Sequence, residues 1–195
     1  MNGEIETAQN AWPDRSFWRG FRRRLGIGVV ATFGVLALWV GAMPAAKREA
    51  VLTYWSNVRI PAPSFRPELL LAVPLSVQLH VAAVAVAFFV GVVIFLLPKG
   101  TGFHRLLGWT WVSSMIVVAA TSIAMIADFN NGINPLHIFT AVTVVSLWAG
   151  LTGIRAGNVR QHAASMTGLY VGGLIVAGLF AFIPGRLMWQ VVFGG

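Results

Sequence analysis

Four histidines carry most of the chemistry this sequence offers: His80, His104, His137 and His162. Twenty-four residues separate His80 from His104, and 25 separate His137 from His162. Each interval is one bilayer crossing plus a turn, so the same helical hairpin is used twice in parallel orientation. His80 and His137 then open their helices on one side of the membrane, and His104 and His162 open theirs on the other. Imidazoles facing one another without thiolates or carboxylates are the donor set of a six-coordinate haem iron. The expectation is two bis-histidine haem b sites, one pairing His80 with His137 and the other pairing His104 with His162. Arg105, Arg160 and Lys99 at one level, and Arg186 with Arg66 at the other, would pair with haem propionates.

That geometry needs long helices, and the composition supplies them. The 195 residues are 57% hydrophobic and 10% charged, with a mean hydropathy of +0.75. Soluble domains carry about 25% charged residues, so the chain reads as an integral membrane protein. Strand-like alternation is missing, and backbone groups in lipid must pair within their own segment, so the spans are helical. No cysteine is present, which removes disulfides, thiolate ligands, iron–sulfur clusters and thiol catalysis. The formal charge of +8 sits in loops, where topology accounts for it better than nucleic-acid binding does.

Taken in order, residues 1–24 form a basic and aromatic segment suited to a headgroup surface. Residues 25–43 form a first anchor span whose one polar residue is Thr32. Residues 44–67 form a proline-bearing external loop, 68–184 a four-helix transmembrane core, and 185–195 a C-terminal tail. Within the core the spans fall near Leu69–Leu97, His104–Ala127, Leu136–Ile154 and His162–Ile183. Pro74 either kinks the first of these or marks its true start. The fold class is therefore an all-α membrane protein with five spans, the last four forming an antiparallel up-down four-helix bundle. In such a bundle alternate spans are diagonal neighbours, which brings the histidines together in the stated pairs.

Lys and Arg counts give the orientation. The N-terminal segment carries five, the 98–105 hinge two and the 155–160 turn two, nine in all; the opposite side carries four before Glu68 and then Arg186, five in all. The N-terminus is therefore expected in the cytoplasm of a bacterial inner membrane.

The strings His104-Arg105-Leu-Leu-Gly108-Trp109 and Arg160-Gln-His162-Ala-Ala-Ser-Met166-Thr-Gly-Leu-Tyr170, followed by Phe182-Ile-Pro184-Gly185-Arg186, resemble a bacterial family of predicted membrane proteins of unknown function. The likeness covers residues 70–190. More remotely, the arrangement is similar to the transmembrane di-haem cytochrome b superfamily, which includes the ascorbate-reducible cytochromes. That resemblance implies one haem between the first and third core helices and one between the second and fourth, with His80, His137, His104 and His162 as ligands. The histidines here are more closely spaced and nearer the surfaces than in that superfamily.

The expected function is electron transfer across the membrane, as an oxidoreductase subunit exchanging electrons with a quinone or a redox-partner protein. The alternative is a non-catalytic accessory or assembly subunit of a larger membrane complex, which the short loops and bare first span would suit. A coupled transporter is disfavoured because spans two to five hold no Asp or Glu away from their ends. A copper or zinc site with two imidazoles per side would need further ligands. No Ser/His/Asp set, nucleotide loop or metal-protease helix is present.

Overall fold

The computed structural model describes residues 44–57, 61–129 and 138–194, with scattered positions between 19 and 42. The first anchor span and His137 fall in stretches lying largely or wholly outside the described residues. Among those described, the elements are helical throughout. They are α1 (Ala45–Asn57), a 3-10 turn at Pro67–Leu70, α2 (Leu75–Leu96), α3 (Gly102–Phe129), α4 (Ile138–Arg155), α5 (Val159–Ala181) and α6 (Leu187–Phe193). Four helices are long and apolar enough to cross a membrane: α2, the Gly102–Met125 part of α3, α4 and α5. Their outer faces carry exposed large apolar side chains, such as Phe88, Phe89 and Val93 on α2 and Val145 and Trp148 on α4. In water these faces would drive aggregation; in lipid they are the solvated surface.

The boundaries follow from local chemistry. Pro74 is the N-cap of α2, so it starts the helix and does not kink it, as expected where a missing N–H costs nothing. Lys99 closes the other end by donating to the carbonyls of Ile94, Phe95 and Leu97 at 2.6, 3.2 and 2.7 Å, groups that a helix C-terminus leaves unpaired. Gly157, at φ +73°, turns the chain after α4. The Asn158 side chain then caps α5 by accepting from the Gln161 backbone N–H at 2.9 Å. Within the proline-bearing stretch 44–67, expected to be a loop, residues 45–57 are helical, while residues 61–66 carry no helix.

Helices without a hydrophobic drive between them associate by close packing and interhelical hydrogen bonds, and both are present. The α2–α3 pair runs in opposite directions: His80 meets Thr121 near one end, and Gly91 meets Trp111 nearer the other. The α4–α5 pair packs through Gly150 against Met166 and through Gly153 against Gln161 and His162. Polar contacts join the pairs. Ser122 Oγ and Thr140 Oγ1 are 2.7 Å apart between α3 and α4. Tyr170 of α5 seats its ring on Gly91 of α2 and donates to the Phe88 carbonyl at 3.2 Å. The buried centre is formed by Ala87, Trp111, Val112, Met115, Leu147, Leu169, Tyr170 and Leu174. At Tyr170–Val176, α5 widens into a π-helix, beside the Gly172-Gly173 pair.

The strap before α2 docks on the C-terminal helix. Ser64 and Arg66 donate their backbone N–H groups to Val192 and Val191 at 3.0 and 2.7 Å, so residues 64–66 and the end of α6 lie together.

A Cβ at Gly91 would overlap the Tyr170 ring. Gly91→Ala is expected to lose about 1–3 kcal/mol of stability through overpacking, despite better helix propensity. Adding Tyr170→Leu should recover most of the loss. Thermal unfolding in detergent checks both, and an undiminished single variant would contradict this packing.

Candidate functional site

Hydroxyls in the spans show what a polar group must do in hydrocarbon. Thr110, Ser114, Thr121, Thr143 and Thr152 each donate to the carbonyl four residues back, at 2.7 to 3.2 Å. The single proton of Thr121 is thus committed to Val117 at 2.7 Å, with Val118 a second acceptor at 3.1 Å. His80 Nδ1 lies 3.1 Å from the same hydroxyl oxygen. That oxygen can then accept from Nδ1–H, which fits the Nδ1-protonated tautomer of His80.

His162 obeys the same rule. Its Nδ1 is 3.0 Å from the Gly150 carbonyl, which can only accept. Gly150 and Gly153 let α4 approach closely enough for this bond. His104, at the start of α3, has a buried Nδ1 with no partner among the described residues. It lies within electrostatic range of Lys99 and His162, so His104 and His162 share one end of the structure with Lys99. The Val118 backbone also lies within hydrogen-bond reach of the His80 ring. On three helices, Nδ1 of an imidazole is thus either held by a neighbouring helix or buried.

The other expected site residues are placed less closely. Arg105, Arg160 and Arg186 are exposed. Arg66 pairs with Glu68 at 3.1 Å; the backbone N–H of Glu68 and then Arg66 hold that carboxyl below its usual range. Met166 fills the space above Gly150, which makes it a packing residue and not a ligand. Trp109 is 59% exposed and Trp111 only 4%, so the first faces lipid and the second the core. Trp111 Nε1 is the other buried polar atom without a partner among the described residues. Sequence reasoning missed Thr121 and the Gly150 carbonyl as partners of the histidines. A recess of about 460 Å³ opens between Pro74–Leu79 of α2 and Ala120–Ala124 of α3, with Thr121 in its wall. Among the described residues no three His, Cys, Asp or Glu side chains converge.

Helices of this length, with hydroxyls satisfied within their own turns and histidines near the ends, define a multi-pass helical membrane protein. Residues 77–192 match the family of predicted membrane proteins designated DUF2306, and the chain belongs to that family. No curated protein and no solved structure matches the chain.

Lys99 gives a pH test. Burial pushes its ammonium down to about 8, below the ~10.4 of a free lysine. Between these values the unfolded chain still holds a proton that the folded chain has lost. The contribution of this group to stability therefore rises with pH across that window, and is lost as pH falls through about 8. Acylation of Lys99 by an amine-reactive reagent should be half-maximal near pH 8; a midpoint near ~10.4 would show an ordinary lysine.

Proposed function

We propose that this protein is a five-span membrane electron carrier that holds haem b between imidazole pairs at two levels of its up-down four-helix core. His104 with His162 would form one pair and His80 with His137 the other. The carrying observation is that Nδ1 of His80 and Nδ1 of His162 each lie within hydrogen-bond distance of an acceptor on a neighbouring helix. Histidines that bind a metal through Nε2 characteristically donate Nδ1–H to a neighbouring acceptor, which fixes both tautomer and ring orientation. Thr121 serves His80 in this way, and the Gly150 carbonyl serves His162. The donors suit a two-imidazole site better than a closed zinc or copper site, which needs more ligands than converge here.

Bound haem would supply one-electron chemistry; the chain supplies the rest. The hydroxyl and carbonyl partners of the imidazoles are neutral, so no carboxylate charge is pushed onto the ligands. Arg105 and Arg160 at the His104 end, and Arg186 at the other, are exposed where propionates would emerge. The recess beside Thr121 is open and apolar, and would admit a lipid-soluble quinone to within reach of the His80 level. The basic turns at 99–105 and 155–160 favour a cytoplasmic side, in a bacterial inner membrane, for the His104/His162 end.

The test is optical. Protein expressed with ample haem should show a reducible Soret and alpha band, and a purified chain without them would remove the proposal. His104→Ala and His162→Ala should delete the same component of the spectrum, and His80→Ala and His137→Ala the other. Thr121→Val should weaken binding at the His80 level about 10–100-fold, as expected for loss of a ligand's hydrogen-bonding partner.

A further inference from the structure

We infer that the groove between α3 and α4, at the end that carries His104 and His162, binds an anionic phospholipid. Arg105 and Arg155 would hold its phosphate, and Trp109 and Trp148 would pack beneath. The inference stands on its own geometry and does not need the haem reading.

Two observations fix how the helices lie. Ser122 of α3 meets Thr140 of α4 at one end. At the other, His162 lies against Gly153 of α4 and within electrostatic range of His104 of α3. Counted from the Ser122–Thr140 contact, Arg105 is about 26 Å away along α3 and Arg155 about 23 Å away along α4. The two arginines therefore stand at one level. At about 100° per residue, Arg105 and Trp109 fall about 100–140° round α3 from Ser122, on the flank opposite Thr121, which reaches α2. Arg155 and Trp148 fall about 60–80° round α4 from Thr140, on the flank opposite Gly150, which receives α5. Each helix thus turns its Arg–Trp pair to the lipid side of the same groove. Both arginines are exposed, Trp109 and Trp148 are 59% and 72% exposed, and Ile116 and Val144 continue the two stripes toward the membrane interior.

Charge decides what covers this surface. The sequence holds no Asp or Glu from Leu69 to Ala127, or from Ile138 to its end, so the core offers these arginines no side-chain carboxylate at this level. Neither makes an ion pair among the described residues. Their neighbour Lys99 is spent on the carbonyls of α2. The anion present at the end of a membrane span is a lipid phosphate, which a guanidinium holds through paired N–H donors. Indoles sit well just below that level, where polar headgroup meets acyl chain. Membrane topology alone puts cations at span ends. It does not put two of them at one depth on one groove, each with an exposed tryptophan beneath. A basic rim over an apolar cleft between spans is the form a headgroup site takes.

The experiment reads tryptophan fluorescence of the full chain in vesicles of phosphatidylcholine mixed with phosphatidylglycerol, with one lipid or the other brominated to quench the indoles it touches. The groove component is the quenching lost when Trp109→Phe and Trp148→Phe are combined. With about fivefold from each arginine, that component should favour phosphatidylglycerol about 25-fold in the wild type. Arg105→Gln and Arg155→Gln should each cut the preference to about fivefold, and the two together to parity. Arg48→Gln removes the same charge from exposed α1 and should change nothing. Arg105 also carries the propionate role given above, whereas Arg155 does not, so Arg155→Gln bears on lipid alone. A chain that binds no haem would leave this site standing. Equal quenching by the two lipids in the wild type would overturn it, as would wild-type preference in Arg155→Gln or an equal loss in Arg48→Gln. Quenching by neither lipid would overturn it too, because a second copy or another protein would then cover the groove.

Discussion

A polar group inside a bilayer must find its partner within the protein, and the interior of this chain is arranged around that demand. Five span hydroxyls meet it by bonding back one turn along their own helix. Once Thr121 has committed its proton to Val117, its oxygen is left to accept, and that asymmetry favours the Nδ1-protonated tautomer of His80. The Gly150 carbonyl imposes the same outcome on His162 by a different route. In each case an ordinary solution to a solvation problem leaves an imidazole nitrogen with its lone pair free at a defined depth. Local satisfaction of hydrogen bonds thus passes directly into the chemistry the protein can offer.

Close helix approach is the second half of the design. In lipid, apolar burial adds little to helix association, so contact quality has to come from shape. Gly91, Gly150 and Gly153 each receive a side chain from another helix, and the approach of α4 to α5 at Gly150 brings its carbonyl within 3.0 Å of His162. Tyr170 is the joint between the two helical pairs: its ring fills Gly91, its hydroxyl reaches Phe88, and it stands 4.9 Å from Phe95. The π-helix begins at this residue. Such wide turns gather at functional positions in helices, and here the wide turn follows the aromatic that locks α5 to α2.

Much of this was legible from residue order. Long apolar runs broken by Pro98 and by the 155–160 turn placed four spans to within a few residues, because hydropathy reports the solvent directly. The placement of His104 and His162 at one end followed from counting crossings. The gap lies in what requires a partner. No spacing rule ties His80 to Thr121, 41 residues away, or His162 to a backbone carbonyl that any residue at 150 would carry. Trp109 and Trp111 are two positions apart, and only the helix face separates the lipid-facing ring from the buried one. Residues 44–67 read as a loop because of their prolines, but none of those prolines lies within the Ala45–Asn57 helix. The π-helix has no local signature beyond Gly172-Gly173, a pair that serves ordinary packing equally well.

The account turns on which nitrogen of each imidazole carries the proton. Solid-state NMR of the protein labelled with ¹⁵N-histidine, in lipid, reads that directly. For His80 and His162 the account requires a protonated Nδ1, with Nε2 either bare or shifted by a bound iron. Signals from the opposite tautomer, with the proton on Nε2, would contradict it.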